Sequence, residues 1–123
     1  MAKSIVISGN FAIGNVSSGF DNIPLTDTIT VGDNIGEGVP NSDSGSWQAF
    51  DTSSISTLKT LTVRNEGSGS VKIAMGSTPF IIAHLEPGEV CHVPWSGSNP
   101  QLYHRAVNSA TSSIVKYKIS EPF

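Results

Sequence analysis

The chain has 123 residues, a length that suits one domain and not two. Charged residues make up only 14% of it, against about 25% in an ordinary globular domain, and Ser, Thr, Gly and Asn fill the gap. A net charge of -3 leaves no basic surplus for releasing counterions from nucleic acid. No run approaches the roughly 20 apolar residues of a membrane span, and the apolar stretch near Met1 is too short for a secretory leader. These readings predict a protein without nucleic-acid or membrane partners that is made and folds in a cytoplasm. The charge is also uneven. Residues 1–56 carry Asp21, Asp27, Asp33, Glu37, Asp43 and Asp51 against Lys3, a net -5, whereas residues 57–123 net +2. Such halves can attract each other within or between subunits, or can simply form an uneven solvated surface.

In chain order, Lys3–Ser8 sets Ile5 and Ile7 against Ser4, Val6 and Ser8 and reads as a strand. Gly9-Asn10 is a turn pair, and Phe11–Val16 returns as a strand weakened by Gly14. Asp21–Leu25 contains Pro24 and reads as irregular. Thr26–Val31 alternates Thr28 and Thr30 with Ile29 and Val31, a strand with edge character. Gly32–Ser46 has Gly32, Gly36, Gly38, Pro40 and Gly45 and no periodicity. It reads as a loop of about fifteen residues, long enough to be functional or mobile. Trp47–Phe50 is a short strand with Trp47 and Ala49 on one face. Asp51–Ser56 is a hydroxyl-rich loop or a single capped helical turn.

From Leu58 the pattern sharpens. Leu61 and Val63 share a face, with Lys59, Thr62 and Arg64 outward. Asn65-Glu-Gly-Ser-Gly is expected to close a hairpin, its glycines free to take positive φ. Val71, Ile73 and Met75 alternate with Lys72 and Ala74. A break at Gly76–Pro79 leads to Phe80–Leu85, and Glu86-Pro-Gly-Glu places Pro and Gly as a type II turn requires. Val90–Trp95 then enters a Pro/Gly/Ser loop. Gln101–Val107 puts Leu102, His104 and Ala106 on one side. Ser113–Ile119 turns Val115, Tyr117 and Ile119 inward and Lys116 and Lys118 outward. About eight to ten short strands without helical periodicity predict a single all-β domain, an antiparallel β-sandwich of jelly-roll-like form. Residues 57–123 form its best-patterned sheet, and residues 1–56 a loosely packed contact arm.

Residues that carry chemistry are sparse. His84 and His92 lie on strands joined by the Glu86–Glu89 turn, where they could approach each other with Cys91 or Glu89 as a zinc pair; three unrelated strand histidines is the plainer reading. Cys91, the sole cysteine, reads as a small core or interface residue, and alternation turns it away from His92. Glu86 and Glu89 read as solvated turn flanks. Asp33-Asn-Ile-Gly-Glu-Gly offers oxygen ligands without the acidic spacing of a calcium loop. No nucleophile elbow or phosphate loop is present. The expectation is a non-enzyme without cofactor or metal. Trp95 and Tyr103, and Trp47 if it is not core, have faces suited to sugars. Phe123, after Pro122, has no evident core to enter and reads as a subunit contact.

Four segments carry a resemblance: Leu61-Thr-Val-Arg-Asn-Glu-Gly-Ser-Gly-Ser-Val-Lys-Ile, Leu85-Glu-Pro-Gly-Glu, Leu102-Tyr-His-Arg-Ala and Val115-Lys-Tyr-Lys-Ile-Ser-Glu. Over Leu58–Glu121, about half the chain, the sequence resembles small β-sandwich virion structural proteins of tailed bacteriophages, of the capsid decoration or cement type. The resemblance implies a role in the virion at the capsid surface and self-association, most often as a homotrimer. The major capsid protein would be the partner, with no bond made or broken. Phe11, Phe20, Ile23, Trp95 and Phe123 are the expected contact residues. Two other readings stand beside it: a glycan-binding module of a fibre or surface protein using Trp95 and Tyr103, and a head-tail connector or tail component.

Overall fold

The computed structural model describes residues 3–8, 10–12, 22–24, 27–95, 100–108 and 113–122. Its strands are β1 (Lys3–Ile7), β2 (Asn10–Ala12), β3 (Asn22–Pro24), β4 (Asp27–Gly38), β5 (Asn41–Ser42), β6 (Gln48–Ala49), β7 (Thr60–Asn65), β8 (Val71–Met75), β9 (Phe80–Leu85), β10 (Val90–Pro94), β11 (Leu102–Ala106) and β12 (Ser113–Pro122). No helix occurs among the described residues. One sheet has the order β1-β4-β12-β7-β10, with β5 also on β12, and the second has the order β6-β11-β8-β9. Every pairing is antiparallel. The short β2–β3 ribbon joins neither sheet.

The expected all-β sandwich is what the chain forms, and its pairing is nested. Among the eight strands β4 and β6 to β12, the first pairs with the last, β4 with β12. The second pairs with the seventh (β6 with β11), the third with the sixth (β7 with β10), and the fourth with the fifth (β8 with β9). This is a long antiparallel ribbon folded over itself; β12–β7 and β11–β8 ladders then close the two sheets. That scheme is the jelly roll, a double-sheet arrangement of two Greek keys.

Nesting changes how two connections are understood. Asn65–Ser70 was expected to close a hairpin, but β7 and β8 lie in different sheets, so the segment arches from one to the other. Gly67 there answers to space, not to φ: among the described residues the positive-φ glycines are Gly76 and Gly88. A Cβ on Gly67 would collide with the Ser113 hydroxyl and stand 2.6 Å from the Ile114 nitrogen. The Glu86–Glu89 turn is of the expected kind, with Gly88 at φ 86° and Glu89 N–H donating to Glu86 C=O at 3.0 Å. It too joins the two sheets, from β9 to β10. Only the Gly76–Pro79 break closes a true hairpin in this stretch, between β8 and β9.

Residues 32–46, expected as a loop, are largely strand. β4 runs on to Gly38, β1 pairs with its first half and β12 with its second. Glycines there mark a close approach: a Cβ on Gly36 would meet Ile119 at 2.7 Å, and one on Gly38 the Tyr117 ring at 2.8 Å. Asn22–Pro24, expected as irregular, pairs with β2. Residues 27–56 therefore supply β4, β5 and β6 together with the buried Val31, Phe50 and Ile55. Of the first 26 residues, β1 too belongs to the large sheet, whereas the β2–β3 ribbon joins neither sheet.

One core lies between the sheets. Leu61, Val63, Val115, Tyr117 and Ile119 face Val71, Ile73, Met75, Leu85 and Leu102. Each such aliphatic side chain contributes about 1.5–3 kcal/mol when removed from water. The Phe50 ring closes one end, 4.8 Å from the His104 ring and edge-on to Tyr117 at 5.0 Å. At the arch the core ends in a polar knot. Asn65 is fully buried; its Nδ2 donates to Gly69 C=O at 2.7 Å and Leu85 C=O at 3.0 Å. Its Oδ1 accepts from Gly67 N–H at 3.0 Å and the Ser113 hydroxyl at 2.7 Å. All four hydrogen-bonding positions of the amide are filled, tying β7, the arch, β9 and β12 together.

Candidate interaction surfaces

The residues expected to carry contacts are described only in part. Phe11 and Ile23 are directly paired in the β2–β3 ribbon. Phe20 and Phe123 lie outside the described residues. Trp95, at the end of β10, is half-buried against the core, its N–H bonded to Lys59 C=O at 2.8 Å. Tyr103 is on β11 of the other sheet, its hydroxyl donating to Gln101 at 3.1 Å. Trp95 and Tyr103 thus sit on different sheets.

The residues weighed for chemistry separate in the same way. His84 is on β9, its Nε2 3.4 Å from Glu86, while His92 is on β10 with Nδ1 2.7 Å from the Thr62 hydroxyl. These two histidines stand on strands of different sheets, each with a partner of its own. Burial raises the Cys91 thiol pKa, as for a small packed side chain. Asp33–Gly38 is strand, not loop, and Glu37 lies 3.6 Å from Lys118. Among the described residues, no three of His, Cys, Asp or Glu are grouped to hold a metal ion. His104 points into the core, bonded through Nδ1 to the Ser42 hydroxyl at 2.9 Å. Burial there pulls its pKa down to about 4, with the Asp43 charge opposing. It is therefore a neutral structural histidine at neutral pH.

Three surfaces remain. The first is the flank formed by β9 and β10, each paired on one side only. Phe80 and Ile81 are 56% and 53% exposed, and Val90 on β10 is 53% exposed. Behind them Ile82, Ala83, Cys91 and Val93 are half-buried against the core. β9 carries no Lys or Pro, the residues that usually blunt a sheet edge. Its one protection is a register shift that leaves Ile82 without an opposite residue on β8.

The second surface is the outer face of the large sheet. Antiparallel register lays its outward side chains in rows: Lys118, Thr62 and His92 form one, and Lys116, Arg64 and Val90 the next. The row before these, Ser120 with Thr60, points outward by alternation yet is fully buried, its hydroxyls bonded to each other. The outer face is thus covered at that end and open at the other. Between β1 and β10 it forms a groove of about 760 Å³ with Val6 and Ile35 on one wall and Val90 on the other. The third surface is on the small sheet, where the Arg105 guanidinium lies 5.7 Å from the Trp47 ring centroid and its Nε donates to Ser44 C=O at 2.9 Å. Tyr103 precedes it by two residues on the same face of β11. Strand alternation marked the outward lysines and arginine in advance. The flank was missed because it depends on which strands end up at an edge.

Comparison with protein-family models, with curated proteins and with solved structures returned no match.

Proposed function

We propose that the protein is a non-enzymatic assembly subunit, a virion structural protein of the capsid decoration type that self-associates and bridges major capsid proteins. The observation that carries this reading is the open edge of β9, a singly paired strand on which Phe80 and Ile81 are exposed. Such an edge is a template for another chain, and a monomer gains nothing from leaving it bare. The jelly roll, an architecture that recurs in viral capsid domains, is compatible with the role without implying it. Within the first 26 residues, the β2–β3 ribbon, which joins neither sheet, is the natural element for reaching a neighbouring subunit.

Native mass and particle imaging test the proposal together. The full chain is expected as a trimer that saturates capsids. Phe80→Lys with Ile81→Lys should yield folded monomer, and removal of the β2–β3 ribbon should abolish capsid binding while the sandwich still folds. A wild-type monomer indifferent to these changes sinks the reading, and rings of six or twelve favour a head-tail connector. A glycan-binding role is the second reading, now resting on Trp47, Arg105 and Tyr103 rather than Trp95. It expects Trp47→Ala to remove sugar binding without altering native mass; a glycan array blank for the wild-type chain ends it.

A further inference from the structure

We propose that the groove on the outer face of the large sheet docks an extended acidic peptide segment of a partner protein, one whose carboxylates alternate with aliphatic side chains. The inference goes beyond the assembly reading and does not depend on it. It starts from a local conflict. Lys116 and Arg64 stand directly opposite each other across the β12–β7 ladder, and like charges so placed destabilise a sheet. Lys118 follows two residues along on the same face. Arg64 has Glu66 at 3.4 Å and Lys118 has Glu37 at 3.6 Å, both pairs well exposed. Lys116 has no ion pair among the described residues.

The surroundings favour a peptide over other anions. Lys116 and Lys118 recur at the two-residue spacing of a strand, about 6.8 Å, which is also the spacing of alternate side chains in an extended ligand. On the floor between them and β10, the Thr62 hydroxyl and His92 Nδ1 are bonded to each other at 2.7 Å, which leaves the lysines as the polar groups that reach out. The walls offer exposed aliphatic surface, from Val6 and Ile35 on one side and Val90 on the other. An alternating acidic and aliphatic segment meets the cations and the walls together. Among the described residues no Phe or Trp lines this groove to stack a sugar or a base, and Tyr117 packs in the core. The groove volume falls in the range of ordinary ligand sites.

The test uses the isotope-labelled full chain and three probes: the capped peptide Val-Glu-Val-Glu-Val-Glu, its lysine counterpart, and an oligogalacturonate. The acidic peptide should shift amides of Thr62–Arg64, Val90–His92 and Lys116–Lys118 saturably, and its affinity should drop about tenfold between about 50 and about 300 mM salt. Lys116→Glu should remove that response without lowering the melting temperature, because it replaces a like-charged pair by an opposite one; this separates lost binding from lost fold. The lysine peptide should not bind. The proposal is overturned if millimolar acidic peptide leaves these amides unmoved or if Lys116→Glu binds as wild type does. It is equally overturned if oligogalacturonate binds as well as the peptide, or if the same amides shift on concentrating the protein alone, since a second copy would then be the occupant.

Discussion

The two faces of the β7–β12 ladder obey different rules. Inward, Leu61, Val63, Val115, Tyr117 and Ile119 are sorted without exception for burial, and the one polar member, Asn65, has every hydrogen bond made. Outward, two cations oppose each other and a third follows. The same backbone thus carries a face whose interactions agree with the fold and a face with a conflict that the fold did not require. Local conflicts of this kind collect where a protein has work to do besides folding, so the contrast directs attention to the outer face.

The contrast can be broken most severely from inside. Asn65→Ala would leave the Gly69 and Leu85 carbonyls, the Gly67 N–H and the Ser113 hydroxyl without their partner. A loss of about 3 to 4 kcal/mol is expected, seen in thermal melts as a drop of about 10 °C or more. Next comes acid. His104, with a folded pKa of about 4 against 6.5 for the free side chain, is neutral in both states above pH 6.5. As pH falls from there towards 4 the unfolded chain takes up a proton that the folded chain refuses. Stability should decline by about 3 kcal/mol over that window and lose nothing further from this group below it. His104→Gln should flatten the profile between pH 6.5 and 4, and an unchanged slope would refute the assignment. The smallest effect is outside: Lys116→Glu should stabilise the isolated protein by roughly 0.2–1 kcal/mol, measured by denaturant titration. A destabilisation there would erase the contrast between the two faces.

Alternation over Val115, Tyr117 and Ile119, and over Leu102, His104 and Ala106, was readable from sequence because one face of each strand is buried throughout. The second half of β4 was not readable, because Gly32, Gly36 and Gly38 remove the side chains that would have continued the period of two seen up to Val31. They are absent for lack of room beside Tyr117, Ile119 and Glu121, which no local window contains. Asn65-Glu-Gly-Ser-Gly reads equally well as a hairpin or an arch, since turn chemistry is local and the choice of partner strand is not. The outward cations of the groove were visible as outward residues. Their juxtaposition needed the register of β12 against β7, and the wall supplied by β1 needed its pairing with β4.

Nested pairing also governs when the protein can exist. The first half of β4 can pair early with β1, but its second half finds its partner only in β12, with Gly38 opposite Tyr117 some 80 residues further on. β7 lies between β12 and β10 and waits for the same strand. A chain emerging from the ribosome can close the β8–β9 hairpin early, but the large sheet lacks its middle strand until β12 has been made. Folding should therefore be slow and all-or-none, as befits a topology of distant contacts. Until that moment the open edges of β4 and β7 are exposed to neighbouring chains. Truncation within Ser113–Pro122 should thus convert a well-behaved protein into an aggregating one, however far the cut lies from any working surface.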